Sequence, residues 1–186
     1  GRGLGILYAS IFCLHLLLMA AFTAIPSVMT DQVGLDPSHH AWLYLATLCG
    51  ALPGVAVLVR RRGQVGDPRP LIILMIVLTV VGLVAALWSV SLALLGVGLV
   101  LFFTGFTALE TILPALVSIF APTSLRGTAM GIFSSAQFLG VFAGGALGGN
   151  ALHFGGAWGL MGALLALSLL WLVAIWQFGR APAVAY

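Results

Sequence analysis

The sequence predicts an all-α membrane protein with six transmembrane helices. Three observations carry that prediction. The 186 residues are 62% hydrophobic and only 6% charged, with a mean hydropathy of +1.21; soluble domains carry about a quarter charged residues. Apolar runs of the length needed to cross a hydrocarbon core of about 30 Å recur six times. The runs are apolar all round and do not alternate, as barrel strands would. The same composition excludes a disordered chain, and two cysteines exclude a disulfide scaffold. No Ser/His/Asp set, metal-ligand cluster or phosphate loop is present, so neither an enzyme, a metal site nor a cofactor is expected.

The runs cover residues 4–30, 40–59, 71–89, 91–119, 127–150 and 157–178, and read as one six-helix bundle over 1–186. The first follows Arg2 alone, is too long for a signal peptide and lacks a cleavage site. A start at Gly1 rather than Met reads as a piece of a longer chain or a processed one. The breaks are short. Residues 31–39 carry acid and Pro, 60–70 form a basic loop, and Trp88-Ser89 marks a tight interfacial turn. Residues 120–126 make the next loop, and 149–156 the last. Cys13 and Cys49 lie inside apolar runs and read as small packing residues.

The net charge is +3 and the pI about 9.4, and every basic residue is Arg. With the N-terminus inside, Arg2, Arg60, Arg61, Arg62, Arg69, Arg126 and Arg180 all fall on the inner side. The outer loops hold Asp31 and Asp36 and no Arg. Positive charge collects on the cytoplasmic side of membrane proteins. Both termini are therefore expected in the cytoplasm, in a multi-pass protein of the inner (plasma) membrane. No basic stripe interleaves with aromatics, so nucleic acid is not an expected partner. Arg60–Arg62 and Arg126 suit contact with lipid phosphates; a gating salt bridge to a partner half is the alternative.

Two motif pairs suggest an internal repeat. Thr23-Ala-Ile-Pro26-Ser-Val-Met-Thr30 lies over Thr111-Ile-Leu-Pro114-Ala-Leu-Val-Ser118 at an offset of 88. Gly50-Ala-Leu-Pro-Gly54 lies over Gly140-Val-Phe-Ala-Gly144 at an offset of 90. Three helices would then repeat as three more. An odd number per unit inverts the second copy in the membrane, giving a 3+3 inverted repeat. Chance matching among apolar residues is the competing explanation.

The stretch Phe106-Thr-Ala-Leu-Glu110-Thr-Ile-Leu-Pro114-Ala-Leu-Val-Ser118 is followed by Ala121-Pro122 and by Arg126-Gly127-Thr-Ala-Met-Gly131-Ile-Phe-Ser-Ser-Ala-Gln137-Phe-Leu-Gly140, then Gly144-Gly145. In these residues and in helix order the chain resembles the C-terminal six-helix half of a major facilitator superfamily transporter of the bacterial drug-efflux type. The resemblance implies half of a secondary active transporter working by alternating access, with proton-coupled export of small lipophilic compounds. It also implies a second wall for the cavity, from an N-terminal six-helix half or from a second copy of the chain. A non-transporting six-helix scaffold or assembly partner is the alternative from another class, and a homodimeric half-size transporter a third. One departure stands out: where the family often reads Gly-x-x-x-Asp-Arg-x-Gly, this sequence has Ala56-Val-Leu-Val-Arg60-Arg61-Arg62-Gly63, with Arg60 in place of the Asp. Asp67 remains available to pair locally with Arg69.

Glu110 is the only acid inside a helical run. A charge buried there costs about 2.5–3.5 kcal/mol or more. Such a carboxyl is either a proton- or substrate-binding group or a structural carboxyl bonded to a neighbouring helix. Pro114 cannot donate to the Glu110 carbonyl, so the helix is loosened beside it; Pro26 occupies the matching place. His15, Gln137, Phe106 and Phe133 are candidate cavity residues, with core packing as the plainer alternative for each. Gly140, Gly144 and Gly148 form a smooth stripe where another backbone can approach. His39 and His40 are adjacent and point apart, which disfavours a metal pair.

Overall fold

The computed structural model describes residues 2–63 and 67–178; Arg180 and the side chain of Arg2 lie outside the described residues. Its regular elements are all helical: α1 (Arg2–Phe22), α2 (Ile25–Ser27), α3 (His40–Arg62), α4 (Arg69–Leu87), α5 (Leu92–Phe120) and α6 (Arg126–Phe178). A π-turn over Val28–Gln32 extends α2, and single 3-10 turns precede α3 and α6. Five stretches among the described residues are long and apolar enough to cross a membrane. The chain is a multi-pass α-helical membrane protein.

The first apolar run is not one helix over 4–30. α1 stops at Phe22, and the chain resumes as α2 and then widens into the π-turn. Pro26 has no N–H for the Phe22 carbonyl, and its ring crowds that turn. Local hydroxyls satisfy carbonyls around the break. Thr23 Oγ1 donates to the Ala20 carbonyl at 2.6 Å and Ser27 Oγ to that of Ala24 at 2.8 Å. α5, in contrast, runs through Pro114 to Phe120 as a single helix.

The last two runs also differ from expectation. Residues 149–155 are helical, and α6 continues for 53 residues with one interruption, Gly156 at φ 58° and ψ −159°. A straight helix of that length would span about 80 Å, far beyond a bilayer core. The chain turns back at Gly156, as its contacts with α1 show. Gly140, Gly144 and Gly148 press against Phe12, Leu16 and Ala20, so this part of α6 runs parallel to α1. Beyond Gly156 the order reverses: Leu160 and Met161 share a cavity wall with Ala24 and Val28, whereas Trp171 reaches down to Ser10. Only glycine adopts that φ/ψ region readily, so one residue makes the turn that composition spread over eight.

α1 lies at the centre. Half of the most apolar stretch in Gly3–Gln32 is buried, against 22% in the Pro37–Arg62 stretch at the periphery. Its buried Leu7, Ile11, Leu14, Leu17 and Ala21 recur at helical spacing on one face. α1 packs mainly on α6, and α4 mainly on α5. In both pairs backbones come so close that a methyl group added to Gly140, Gly144, Gly82 or Gly105 would overlap the neighbouring main chain. The α3–α5 contact has a related pattern, with Gly50 against Val100 and Gly54 against Thr104. Phe138, Phe142, Phe154 and Trp176 point outward, a surface suited to acyl chains rather than to water.

Candidate functional site

The buried polar side chains divide into two kinds. Thr47, Thr79, Thr104 and Ser168 each donate to the carbonyl four residues earlier in the same helix. Their hydroxyls are thereby satisfied without a second helix. Ser10 and His15 instead bond across helices. Trp171 Nε1 donates to Ser10 Oγ at 3.1 Å, which meets the need of a buried indole N–H for an acceptor.

His15 is the centre of a polar cluster from three helices. It is 6% exposed. Its Nδ1 lies 3.1 Å from the Ile11 carbonyl, which can only accept, so Nδ1 carries a proton. Its Nε2 faces two partners: Gln137 Nε2 from α6 at 3.0 Å and Glu110 Oε1 from α5 at 3.3 Å. Glu110 Oε1 is buried and has no other hydrogen-bond partner, although the side chain as a whole is 32% exposed. Glu110 therefore has one oxygen turned toward His15 while part of its side chain reaches the molecular surface.

Aromatic rings flank the cluster. Phe106 meets His15 edge-on at 5.5 Å between centroids, and Phe102 stacks on Phe106 at 5.4 Å. Phe22 contacts Phe102 at 5.7 Å and stacks on Tyr44 at 5.4 Å. The Tyr44 hydroxyl is buried without a partner. Phe133 is buried in the hydrophobic core.

Of the residues singled out from sequence, Glu110, His15, Gln137 and Phe106 come together at one place. Gly140, Gly144 and Gly148 lie along α1, Pro114 lies one turn beyond Glu110 within α5, and Pro26 follows the break after α1. Arg60, Arg61 and Arg126 are exposed and Arg62 is half-buried. Sequence reasoning missed Tyr44, Phe22 and the Ser10–Trp171 bond. Trp171 carried a signal, since an indole within an apolar run needs an acceptor; Phe22 carried none. Cys49 is exposed rather than packed inside.

The loops carry simpler chemistry. Asp67 takes hydrogen bonds from Arg69 at 2.9 Å and 2.8 Å, and the guanidinium holds its carboxyl below the usual range. Asp36 caps the turn before α3 by accepting from the Ser38 hydroxyl and N–H, which lowers its carboxyl likewise. Where α4 ends and α6 turns back, a cavity of about 370 Å³ is lined by Ser27, Gln32, Trp88, Leu152, Trp158 and Met161 among others.

The structure thus defines a multi-pass helical membrane protein with an ionisable cluster, His15, Glu110 and Gln137, shared by three of its helices. Comparison with known proteins gives the particular relatives. The chain is 36% identical over 179 residues to the inner membrane transport protein YajR of Escherichia coli (strain K12), covering 94% of this chain and 38% of that protein. It is 40% identical over 76 residues to an uncharacterized transporter of Buchnera aphidicola subsp. Baizongia pistaciae, covering 41% of this chain and 19% of that protein. A second uncharacterized transporter, from Buchnera aphidicola subsp. Acyrthosiphon pisum, is 29% identical over 140 residues, 74% of this chain and 35% of that protein. No family model matches the chain. The chain thus spans well under half the length of these relatives. They bear out the resemblance to the major facilitator superfamily that the motifs suggest.

Proposed function

We propose that the chain is one six-helix half of a secondary transporter of the inner membrane, with proton-coupled export of small lipophilic compounds as its activity. In this reading Gly156 separates a fifth crossing from a sixth, and both termini are cytoplasmic. The partner wall comes from an N-terminal six-helix half, and the two halves rock about the cavity between them. The observation that carries the reading is Glu110: a carboxyl in an apolar bundle, 3.3 Å from His15 and partly exposed. Intramembrane ionisable groups of this kind serve ion and proton paths. Pro114 leaves the Glu110 carbonyl without its helical donor, which gives the carrying helix a point of yield.

The inverted 3+3 arrangement has support in contacts as well as motifs. Phe12 and Leu16, which meet Gly140 and Gly144, precede by 88 residues the Val100 and Thr104 that meet Gly50 and Gly54. The glycines on the other side are 90 residues apart. These offsets repeat those of the two sequence motifs.

The test is Glu110→Gln in the full-length protein, assayed for the export activity as pH-gradient-driven substrate uptake into inverted vesicles. Loss of pH-driven efflux, with binding retained, is expected. Proton-coupled transport with unchanged pH dependence in the variant would sink the role of Glu110.

A further inference from the structure

We propose that His15 is a proton-operated switch whose Nε2 bonds either to Gln137 on α6 or to Glu110 on α5, so that Gln137 is a positioning residue for the proton at Glu110. The proposal deepens the transport reading above and rests on it for its role in transport, though not for its chemistry.

The argument starts from the hydrogen-bond inventory of the ring. The Ile11 carbonyl holds a proton on Nδ1, which leaves Nε2 as the variable atom. When Nε2 is bare it is an acceptor. The amide of Gln137, 3.0 Å away, can then donate to it. A bare Nε2 facing a carboxylate at 3.3 Å sets two lone pairs against each other. A single proton removes that conflict. Placed on Nε2, it makes an imidazolium that donates to Glu110; placed on Oε1, it makes a carboxylic acid that donates to Nε2. In both forms the pair has zero net charge, which a low-dielectric interior favours. In both forms Nε2 no longer accepts from Gln137, and the amide must turn over or leave.

The proton comes from water reached through the exposed part of Glu110, and returns there. No other bond is made or broken. Unloaded, the hydrogen bond ties α1 to α6; loaded, it ties α1 to α5. The α1–α6 contact is the one where Gly140, Gly144 and Gly148 present no side chain to α1.

Few other groups compete. On α1, Cys13 is a partly buried thiol two residues away and Tyr8 a half-buried phenol two turns earlier. α3 brings Tyr44, which lies beyond Phe22, and otherwise has His and Arg at its ends and the exposed Cys49. α4 has only Arg69, paired with Asp67 at its start. On α6, Arg126 stands about 16 Å along the helix from Gln137, and His153 lies near Gly156 on the exposed surface.

The full chain in lipid nanodiscs, labelled with 15N-histidine, 15N-glutamine side-chain amide and 13C-glutamate, tests the switch by magnetic resonance across pH. Glu110 is the sole glutamate of this sequence, and subtraction of an E110Q spectrum isolates its signal in any longer chain. His15 and Glu110 are expected to respond over one common pH range, with the Gln137 amide signal changing over the same range. E110Q should weaken proton binding at the ring at least tenfold, because the carboxylate partner is gone. Q137L should strengthen it at least tenfold, because the neutral ring loses its donor. Shifts in the same direction, or a Gln137 signal that stays constant while the ring titrates, would overturn the switch. The second criterion uses the native protein, so it holds even if a variant does not fold. Opposite shifts together with unaltered pH-driven efflux in E110Q would leave the switch standing and remove its transport role. Absent shifts with lost efflux would do the reverse.

Discussion

At the scale of single residues, polar groups in this bundle are placed by what can satisfy them. A threonine hydroxyl bonds back to its own helix and asks nothing of its neighbours, as Thr79 and Thr104 do. Trp171 cannot, so its indole reaches Ser10 on α1. Interhelical hydrogen bonds in membranes contribute about 0.6 kcal/mol on average. We therefore expect Trp171→Phe to lower unfolding free energy in mild detergent by about 0.5–1 kcal/mol, read from a denaturation midpoint; no change would mean that the bond adds nothing net. Asp67 behaves differently because it is in water. Its carboxyl is held low by Arg69, so its contribution exists above the ordinary carboxylate range and is lost as pH falls through the lowered folded-state value. With both side chains partly exposed, Asp67→Asn should cost no more than about 0.5 kcal/mol at neutral pH, and the difference between variant and native should vanish in acid. Glu110 was legible as a candidate because a lone acid in an apolar run stands out. Its partners were less so: His15 is 95 positions earlier, and no periodicity in so uniformly apolar a sequence says which faces meet.

At the scale of elements, small residues and breaks decide how helices approach. Gly144 presses on the Leu16 backbone, whereas a methyl group on Gly145 would meet nothing. Gly144→Leu should therefore destabilise by about 1–3 kcal/mol through overpacking, while Gly145→Ala should be neutral or slightly stabilising; equal effects at both positions would contradict the close approach of α1 and α6. Gly156 is the second sensitive point. Its φ of 58° with ψ of −159° disfavours any side chain, so Gly156→Ala should cost about 1–3 kcal/mol, measured in the same denaturation assay. The prolines show why motif matching alone misleads about helix continuity. Pro26 coincides with a broken helix and Pro114 with a continuous one, so a proline in an apolar run does not by itself fix where a helix ends.

At the scale of the whole molecule, the arginine distribution makes an orientation testable. In a Cys13→Ser/Cys49→Ser background, Ser38→Cys should react with a membrane-impermeant maleimide from the periplasmic side. Ser124→Cys, in the loop before α6, should react only after the membrane is opened. The reverse pattern would overturn the cytoplasmic assignment of the termini. The outward-facing Phe138, Phe142 and Trp176 belong to the same scale, since such a surface suits acyl chains rather than water.

The sequence by itself determined the class. Composition and run length require a helical membrane protein, since backbone groups in hydrocarbon must be satisfied within each segment. It also singled out Glu110 as the one acid inside an apolar run. Only the tertiary structure decided which residues Glu110 meets, that the last two runs turn at one glycine rather than through a loop, and that the first run breaks at Phe22. The physical reason is the same in each case. In a chain this apolar, hydrophobicity sets depth but not rotation about the helix axis. Rotation is set by close packing of small residues and by the few polar groups that need partners, and those are contacts between residues far apart in sequence.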